Sequence, residues 1–251
     1  MSSVQKTARL AGRLLTIAFS NPSRLRHVLG SALAASEQVA DPSLDLLRFP
    51  SVRPEELLPE EGLDRATLAL FPRSVSSPLV LELVCLVLLL KKAGATNVFE
   101  FGTYKGVSIT ELALNVPDHG HICTLDLPES APHTRYSIPD PEEMQITLEK
   151  GKGSLVPTDL RRRIHFLQQD SAQFDDAPYR GKMDFIFVDG AHSFDYVRND
   201  SEKAWRMLRS GGIVAWHDCR LPDPDVVRYL LSSPFRPSLI SQTSLAFAVK
   251  C

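Results

Sequence analysis

The stretch Asn97-Val98-Phe99-Glu100-Phe101-Gly102-Thr103-Tyr104-Lys105-Gly106 decides the fold. Its first half is a short apolar run around one acid, which predicts a strand. Its second half is a tight loop from Gly102 to Gly106, and Val107 to Leu114 continues with helical spacing. Gly102 follows the strand at the point where the chain must turn sharply and a ligand can approach the backbone. A strand that turns at glycine into a helix is the repeating unit of an alternating β/α chain.

The same unit recurs outward from this stretch. Ser77 to Lys92 predicts a helix with Gly94 as its stop. His121 to Leu127 predicts a second strand, ending at Asp126, and Ile164 to Gln168 a third, ending near Asp170. Asp184 to Val188 predicts a fourth, ending at Asp189. Phe194 to Leu208 predicts a helix stopped by Gly211-Gly212, and Ile213 to Trp216 a fifth strand, ending at His217-Asp218. Ser238 to Lys250 predicts a closing strand pair. The expected fold is α/β, a Rossmann-like doubly wound, mostly parallel sheet with helices on both faces. Ligands of such sheets bind outside the carboxyl ends of the strands. Glu100, Asp126, Asp170, Asp189, His192, His217 and Asp218 all fall there, and a run of acids at successive strand ends points to a site rather than to scaffold.

Composition narrows the class. The chain has 251 residues, room for one to two domains and a large core. Lys plus Arg is 28 and Asp plus Glu is 30, a net charge of −2, which argues against a chain-wide nucleic-acid surface. Cys85, Cys123, Cys219 and Cys251 form no CxxC pair, so free thiols in a reducing cytoplasm are expected. The longest apolar run, Leu79 to Leu90, contains Glu82 and is too short to span a bilayer, which takes about 20 apolar residues. Residues 1–36 carry Lys6, Arg9, Arg13, Arg24 and Arg26 and no acid. With Leu10, Leu14, Leu15 and Ile17 at helical spacing, this arm suits a membrane surface or a partner, or is a cap helix with a basic polar face. The expected division is an N-terminal helical cap over 1–75 and a cofactor-binding domain over 76–251. A homo-oligomer fits this organisation as well as a monomer does.

The first loop lacks the second glycine of the dinucleotide fingerprint GxGxxG and is preceded by an acid. A carboxylate there repels a pyrophosphate and suits a cationic ligand. Asp126, 24 residues after Gly102, stands where an acid accepts hydrogen bonds from ribose hydroxyls. A ribose-bearing ligand with a positive end points to S-adenosylmethionine.

Glu100-Phe-Gly-Thr-Tyr-Lys-Gly106 resembles the first motif of class I S-adenosylmethionine-dependent methyltransferases. Asp184-Phe-Ile-Phe-Val-Asp-Gly-Ala-His192, Tyr196, Asp200 and Gly211-Gly-Ile-Val-Ala-Trp-His-Asp218 are similar to a narrower group. That group holds macrocin- and mycinamicin-type sugar O-methyltransferases and cephalosporin-hydroxylase-like proteins. The resemblance covers about residues 76–250 and implies a final antiparallel hairpin, here Pro237 to Gln242 and Ser244 to Lys250. It implies a cofactor site at Glu100, Gly102, Thr103, Tyr104, Gly106, Ser108, Asp126, Asp170, Ser171 and Asp189, and a small-molecule hydroxyl as methyl acceptor. It also implies His192 as the base that takes the hydroxyl proton, a task that suits imidazole with its ordinary pKa of about 6.5.

Asp189 and Asp218 end strands that are neighbours in this fold, and two carboxylates in one cleft repel unless a cation or proton lies between them. Oxygen donors suit Mg²⁺. The sugar enzymes that this chain resembles carry Glu-Asp after the fifth strand, where it has His217-Asp218. A metal set of Asp189, His217 and Asp218 would favour Mn²⁺, Fe²⁺ or Zn²⁺, or the histidine leaves the site without a metal. Asp200 is expected on a helix surface, with a supporting contact to the site residues as the alternative, and Arg161-Arg162-Arg163 as a solvated helix end. Trp205 is expected between its helix and the sheet, and residues 128–160, with His133 and Tyr136, as a lid. Two rival classes stay open, a dinucleotide-dependent oxidoreductase and a non-catalytic protein that binds cofactor or partner.

Overall fold

The computed structural model describes residues 46–58, 66–70, 77–129, 134–220 and 223–251. The basic arm of residues 1–36 and His133 lie outside the described residues. The chain divides into two compact units, Met1–Asp45 and Leu46–Cys251, and the second carries the sheet.

Eight strands form that sheet: β1 Ser51–Val52, β2 Asn97–Phe101, β3 His121–Asp126, β4 Ile164–Gln168, β5 Met183–Val188, β6 Leu208–Trp216, β7 Ser238–Ile240 and β8 Ala246–Val249. Their order is β1-β7-β8-β6-β5-β2-β3-β4. β4, β3, β2, β5 and β6 run parallel, and β8 is antiparallel to both β6 and β7. The expected doubly wound, mostly parallel sheet with a closing antiparallel hairpin is therefore the observed fold. Among the described residues the α-helices are α1 Val80–Lys92, α2 Val107–Asn115, α3 Pro141–Leu148, α4 Thr158–Arg161, α5 Phe194–Met207 and α6 Pro224–Ser232.

Burial explains the strand sequences. Every residue of β5 is buried, as a central parallel strand covered on both faces requires, and its sequence is a continuous apolar run after Asp184. One face carries Val98, Phe185, Phe187, Ile213 and Ala215 against Leu83, Leu86 and Leu90 of α1 and Ile109 and Leu112 of α2. Phe99 and Phe101 point to the other face, where Phe99 meets Phe174 at 5.5 Å and Tyr179 at 5.4 Å between ring centroids. Trp216 is buried on its strand and donates through Nε1 to Ser201 Oγ of α5 at 2.8 Å. Phe235 stacks on Trp205 at 4.6 Å and on Trp216 at 6.0 Å.

Several expectations change. Gly211-Gly212 does not stop α5 but lies inside β6, in an irregularity that takes the pairing from Met183↔Leu208 to Phe185↔Ile213. Gly211 adopts φ 77°, and a Cβ on Gly212 would lie 2.9 Å from Leu208 Cδ2, so the chain needs both glycines to fold the bulge. The basic triplet is in part the expected solvated helix end, since Arg161 and Arg162 are exposed at the end of α4, but Arg163 is half-buried. Arg163 donates to the carbonyls of Val116 and Pro117 at 2.9 and 2.7 Å, closing the end of α2. Arg161 donates to Gly153 O and lies over the Phe166 ring. Residues 51–52, read as part of a cap, form an edge strand, and the sheet-bearing unit begins at Leu46.

Register places the site. Phe101 pairs with Leu125 and Val188, and Val188 with Trp216. The residues that follow, Gly102, Asp126, Asp189 and His217, therefore emerge side by side at one sheet edge. β3 and β5 flank β2 on opposite sides, so the direction of winding reverses there, the usual location of a ligand crevice.

Candidate active site

The loop after β2 is built around a close backbone crossing. Gly102 adopts φ 93°, and a Cβ there would stand 2.0 Å from the carbonyl oxygen of Asp189. Glycine is required because the exits of β2 and β5 touch, a packing reason independent of any ligand. Tyr104 also has positive φ, 44°. Asp126 holds this turn: the Thr103 and Tyr104 N–H groups donate to its Oδ2 at 3.1 and 2.7 Å. Its Oδ1 accepts from Leu127 N–H at 2.7 Å and lies 3.2 Å from Lys152 Nζ. Gly106, at φ 89°, begins α2 and leaves room for Val156, whose Cγ2 would be 2.5 Å from an added Cβ.

Glu100 differs from its expected role. It is fully buried, and the hydroxyls of Ser108 and Thr124 donate to its two carboxyl oxygens at 2.6 Å each. Burial pushes its pKa up to about 8, so near neutral pH it is largely uncharged. It and Ser108 tie β2, β3 and α2 together behind the loop, and Asp126 is the acid that faces it. Asp170 is likewise engaged: Tyr196 Oη donates to Oδ1 at 3.0 Å and Arg135 N–H to Oδ2 at 2.8 Å. The Ser171 carbonyl accepts from Asn199 Nδ2 at 3.2 Å and from the Lys203 ammonium. Asp200 is not on a helix surface but buried behind Gly190, and burial pushes its pKa up to about 7.

At the ends of β5 and β6 the structure brings Asp189, His192, His217 and Asp218 together. Asp218 Oδ2 lies 3.0 Å from His217 Nδ1 and 3.1 Å from His192 Nε2. His217 Nδ1 is also 3.1 Å from Asp189 Oδ1. Asp218 has φ 55°, a conformation that a buried non-glycine residue adopts only when its surroundings impose it. Burial holds the Asp189 carboxyl above its ordinary range. Burial acts the same way on Asp218, but His217 and His192 outweigh it and hold that carboxyl well below its ordinary range. Burial would lower the pKa of His192, but the hydrogen bond and charge of Asp218, with Glu143 and Asp223, raise it to about 9.

Four further residues complete the cluster. Glu82, on α1, accepts from Ser244 N–H and Oγ at 2.7 and 2.8 Å and from Leu79 N–H at 2.6 Å, and faces His217 Nε2 at 3.2 Å. Glu143 of α3 accepts the His192 backbone N–H at 2.7 Å. Asp223 lies 3.8 Å from His192 Nδ1, and Arg220 bridges Asp223 and Asp218. An acid inside the apolar run of α1 was the one local signal for Glu82.

The segment expected as a lid makes two contacts here. Tyr136 meets Tyr196 edge-on at 5.3 Å. Gly153 N–H donates to Tyr104 O and Leu155 N–H to Lys105 O, at 2.7 and 3.0 Å, so residues 151–156 lie against the loop after β2.

The cluster holds donors that suit a divalent ion. Ligand atoms of Asp189, His192 and Asp218 lie within 4.8 Å of one another. Asp218 Oδ1 is buried without an aligned hydrogen bond, although Arg220 Nη2 lies 2.7 Å away. Two carboxylate oxygens and an imidazole nitrogen fit such an ion. His217 stands beside this set, with Nδ1 toward Asp189 Oδ1 and Asp218 Oδ2 and Nε2 toward Glu82 Oε2.

Known proteins of similar sequence are methyltransferases. A family model described as a methyltransferase domain matches residues 99–219. A caffeoyl-CoA O-methyltransferase of Stellaria longipes is 30% identical over 196 residues, 75% of this chain and 71% of that one. Caffeoyl-CoA O-methyltransferase 3 of Nicotiana tabacum is 27% identical over 180 residues, 70% of this chain and 69% of that one. Among solved structures, an O-methyltransferase from Bacillus cereus in complex with SAH is similar at a TM-score of 0.44 and 19% identity, over 66% of this chain and 79% of that one.

Proposed function

The chain belongs to the O-methyltransferases that include the caffeoyl-CoA enzymes, and from that premise we propose that it moves the methyl group of S-adenosylmethionine to a hydroxyl oxygen of a small-molecule acceptor. The observation that carries this is the placement of the Thr103-Tyr104 turn and Asp126 on the same sheet edge as His192, Asp189 and Asp218. Asp126, which Lys152 Nζ faces at 3.2 Å, accepts the ribose hydroxyls. The acceptor oxygen attacks the methyl carbon, the carbon–sulfur bond breaks, and S-adenosylhomocysteine departs. His192 takes the hydroxyl proton. Most of the acceleration comes from holding oxygen, methyl carbon and sulfur in line. A divalent ion, held by Asp189 and Asp218 beside His192, would lower the pKa of a bound hydroxyl. The His192 lone pair can serve either the ion or the proton, and the proton is the task assigned to it. The unpaired cysteines support a cytoplasmic setting.

The test is transfer of a labelled methyl group from S-adenosylmethionine to a panel of phenolic, catechol and sugar hydroxyls, read by mass spectrometry. Label on oxygen of at least one acceptor class is expected. No transfer to any of them, with the cofactor shown to bind, would remove the reading.

The pH dependence has a definite sign. With a pKa of about 9, His192 holds its proton at neutral pH and becomes a base only as pH rises. The rate should climb with pH and level near 9. In Asp223→Asn one source of that elevation is gone, so the rising limb should move to lower pH. An unmoved limb would show that another group controls it.

A further inference from the structure

We propose that Lys152 is a built-in competitor for the cofactor's ribose: its ammonium occupies the one position on Asp126 that a ribose hydroxyl can take, so S-adenosylmethionine binds by displacing it. This role rests on the methyltransferase reading of the site and adds the group that sets the cofactor's affinity. A carboxylate has about four lone-pair positions. On Asp126 three of them meet backbone. Thr103 and Tyr104 N–H donate to Oδ2 at 3.1 and 2.7 Å, and Leu127 N–H donates to Oδ1 at 2.7 Å. The fourth faces Lys152 Nζ, 3.2 Å from Oδ1. The side chains of Lys152 and Asp126 are only 6% and 15% exposed, so this is an enclosed ion pair and not one of the weak pairs of a protein surface.

The backbone donors cannot make way. Gly102 N–H donates to Leu125 O and Gly106 N–H to Thr103 O, each at 2.8 Å, so the turn that carries Thr103 and Tyr104 is closed at both ends. Leu127 follows Asp126 directly. Lys152 can make way, because its segment is tied down without it. Gly153 N–H donates to Tyr104 O at 2.7 Å, Leu155 N–H to Lys105 O at 3.0 Å, and Lys105 Nζ to Lys150 O at 2.7 Å. Lys152 stands among these anchors on a flexible four-carbon stem, so its ammonium can swing to solvent while the backbone stays in place. The ammonium regains its strong hydration on leaving, which offsets part of the lost ion pair. A ligand that must wait for an open place has its affinity reduced by the fraction of molecules in which that place is open.

A lysine that merely braced Asp126 for the cofactor would show the opposite sign when removed. Full-length Lys152→Met keeps the stem and loses the charge. It is expected to bind S-adenosylhomocysteine about tenfold tighter than wild type by calorimetry, the factor that applies when the paired form is roughly ten times as populated as the open one. Equal or weaker binding by Lys152→Met, with wild type binding, would overturn the proposal. The methyltransferase reading fails separately, when neither protein binds. A second measurement needs no variant. Lysines of the wild-type protein are acetylated with a limiting amount of an N-hydroxysuccinimide ester and read by mass spectrometry, with the exposed Lys92 of α1 as the reference. Saturating S-adenosylhomocysteine should speed the labelling of Lys152 severalfold as its ammonium reaches solvent. Slower or unchanged labelling would overturn the displacement.

Discussion

Replacing His192 by alanine is expected to lower kcat by about 10²- to 10⁴-fold, the usual worth of a positioned general base. The loss should fall on kcat and leave the affinity for S-adenosylhomocysteine nearly unchanged. His192 is held by Asp218, Glu143 and Asp223, and none of these hydrogen-bonds the Thr103-Tyr104 turn. Its side chain is 32% exposed, so it reaches the cleft while its neighbours are more enclosed. Residual activity should rise with pH beyond the wild-type plateau, as solvent hydroxide takes over the proton. A mutant that keeps kcat within a few-fold would move the base role elsewhere, and a mutant that loses cofactor affinity equally would show that His192 shapes the cofactor site.

Gly102→Ala is expected to be the most damaging single methyl in the sheet-bearing unit. Two costs combine. At φ 93° an L side chain meets its own backbone, a strain of roughly 1–2 kcal/mol. The added Cβ would also sit 2.0 Å from Asp189 O and 2.5 Å from Asp189 C, an overlap with backbone that no rotamer relieves. β2 and β5 would have to separate at the sheet edge that carries the site. A loss of about 4 kcal/mol or more is expected in denaturant unfolding, together with loss of cofactor binding. Gly94→Ala is the internal control. It has φ 57° and nothing within 4 Å of an added Cβ, so it should lose only about 1 kcal/mol through strain. If the two substitutions cost the same, the close crossing of β2 and β5 is not what the glycine serves.

The sheet was legible because its strands carry their burial in their sequence. Asn97–Phe101 and Ile164–Gln168 lie where the apolar runs put them. The bulge at Gly211-Gly212 was not, because a glycine pair after a helix has the same local signature whether it ends the helix or bends the next strand. β1, two residues long, has no period to detect, and α6 begins at an Asp-Pro whose turn chemistry is equally that of a loop.

The candidate site divides along the same line. Asp126, Asp189 and Asp218 could be grouped from sequence because parallel topology alone sends successive strand ends to one edge. Glu82, Glu143, Asp223 and Arg220 come from elements whose approach is set by tertiary packing, so no spacing announces them. Glu100 shows the reverse error. Its position beside the loop suggested a charge facing a ligand, whereas strand alternation turns it into the core, where Ser108 and Thr124 hold it. His217 was placed correctly at the end of β6, but the direction of its nitrogens depends on Glu82, which lies 135 positions away in the chain.

In the function we propose, the turn after β2, held by Asp126, receives S-adenosylmethionine. Calorimetric titration of the full-length protein with S-adenosylhomocysteine reads this binding. Saturable binding of one molecule per chain is expected in wild type, weakened at least about tenfold in Asp126→Ala as the ribose loses its acceptor. No heat at high protein concentration, or binding that is indifferent to Asp126, would contradict it.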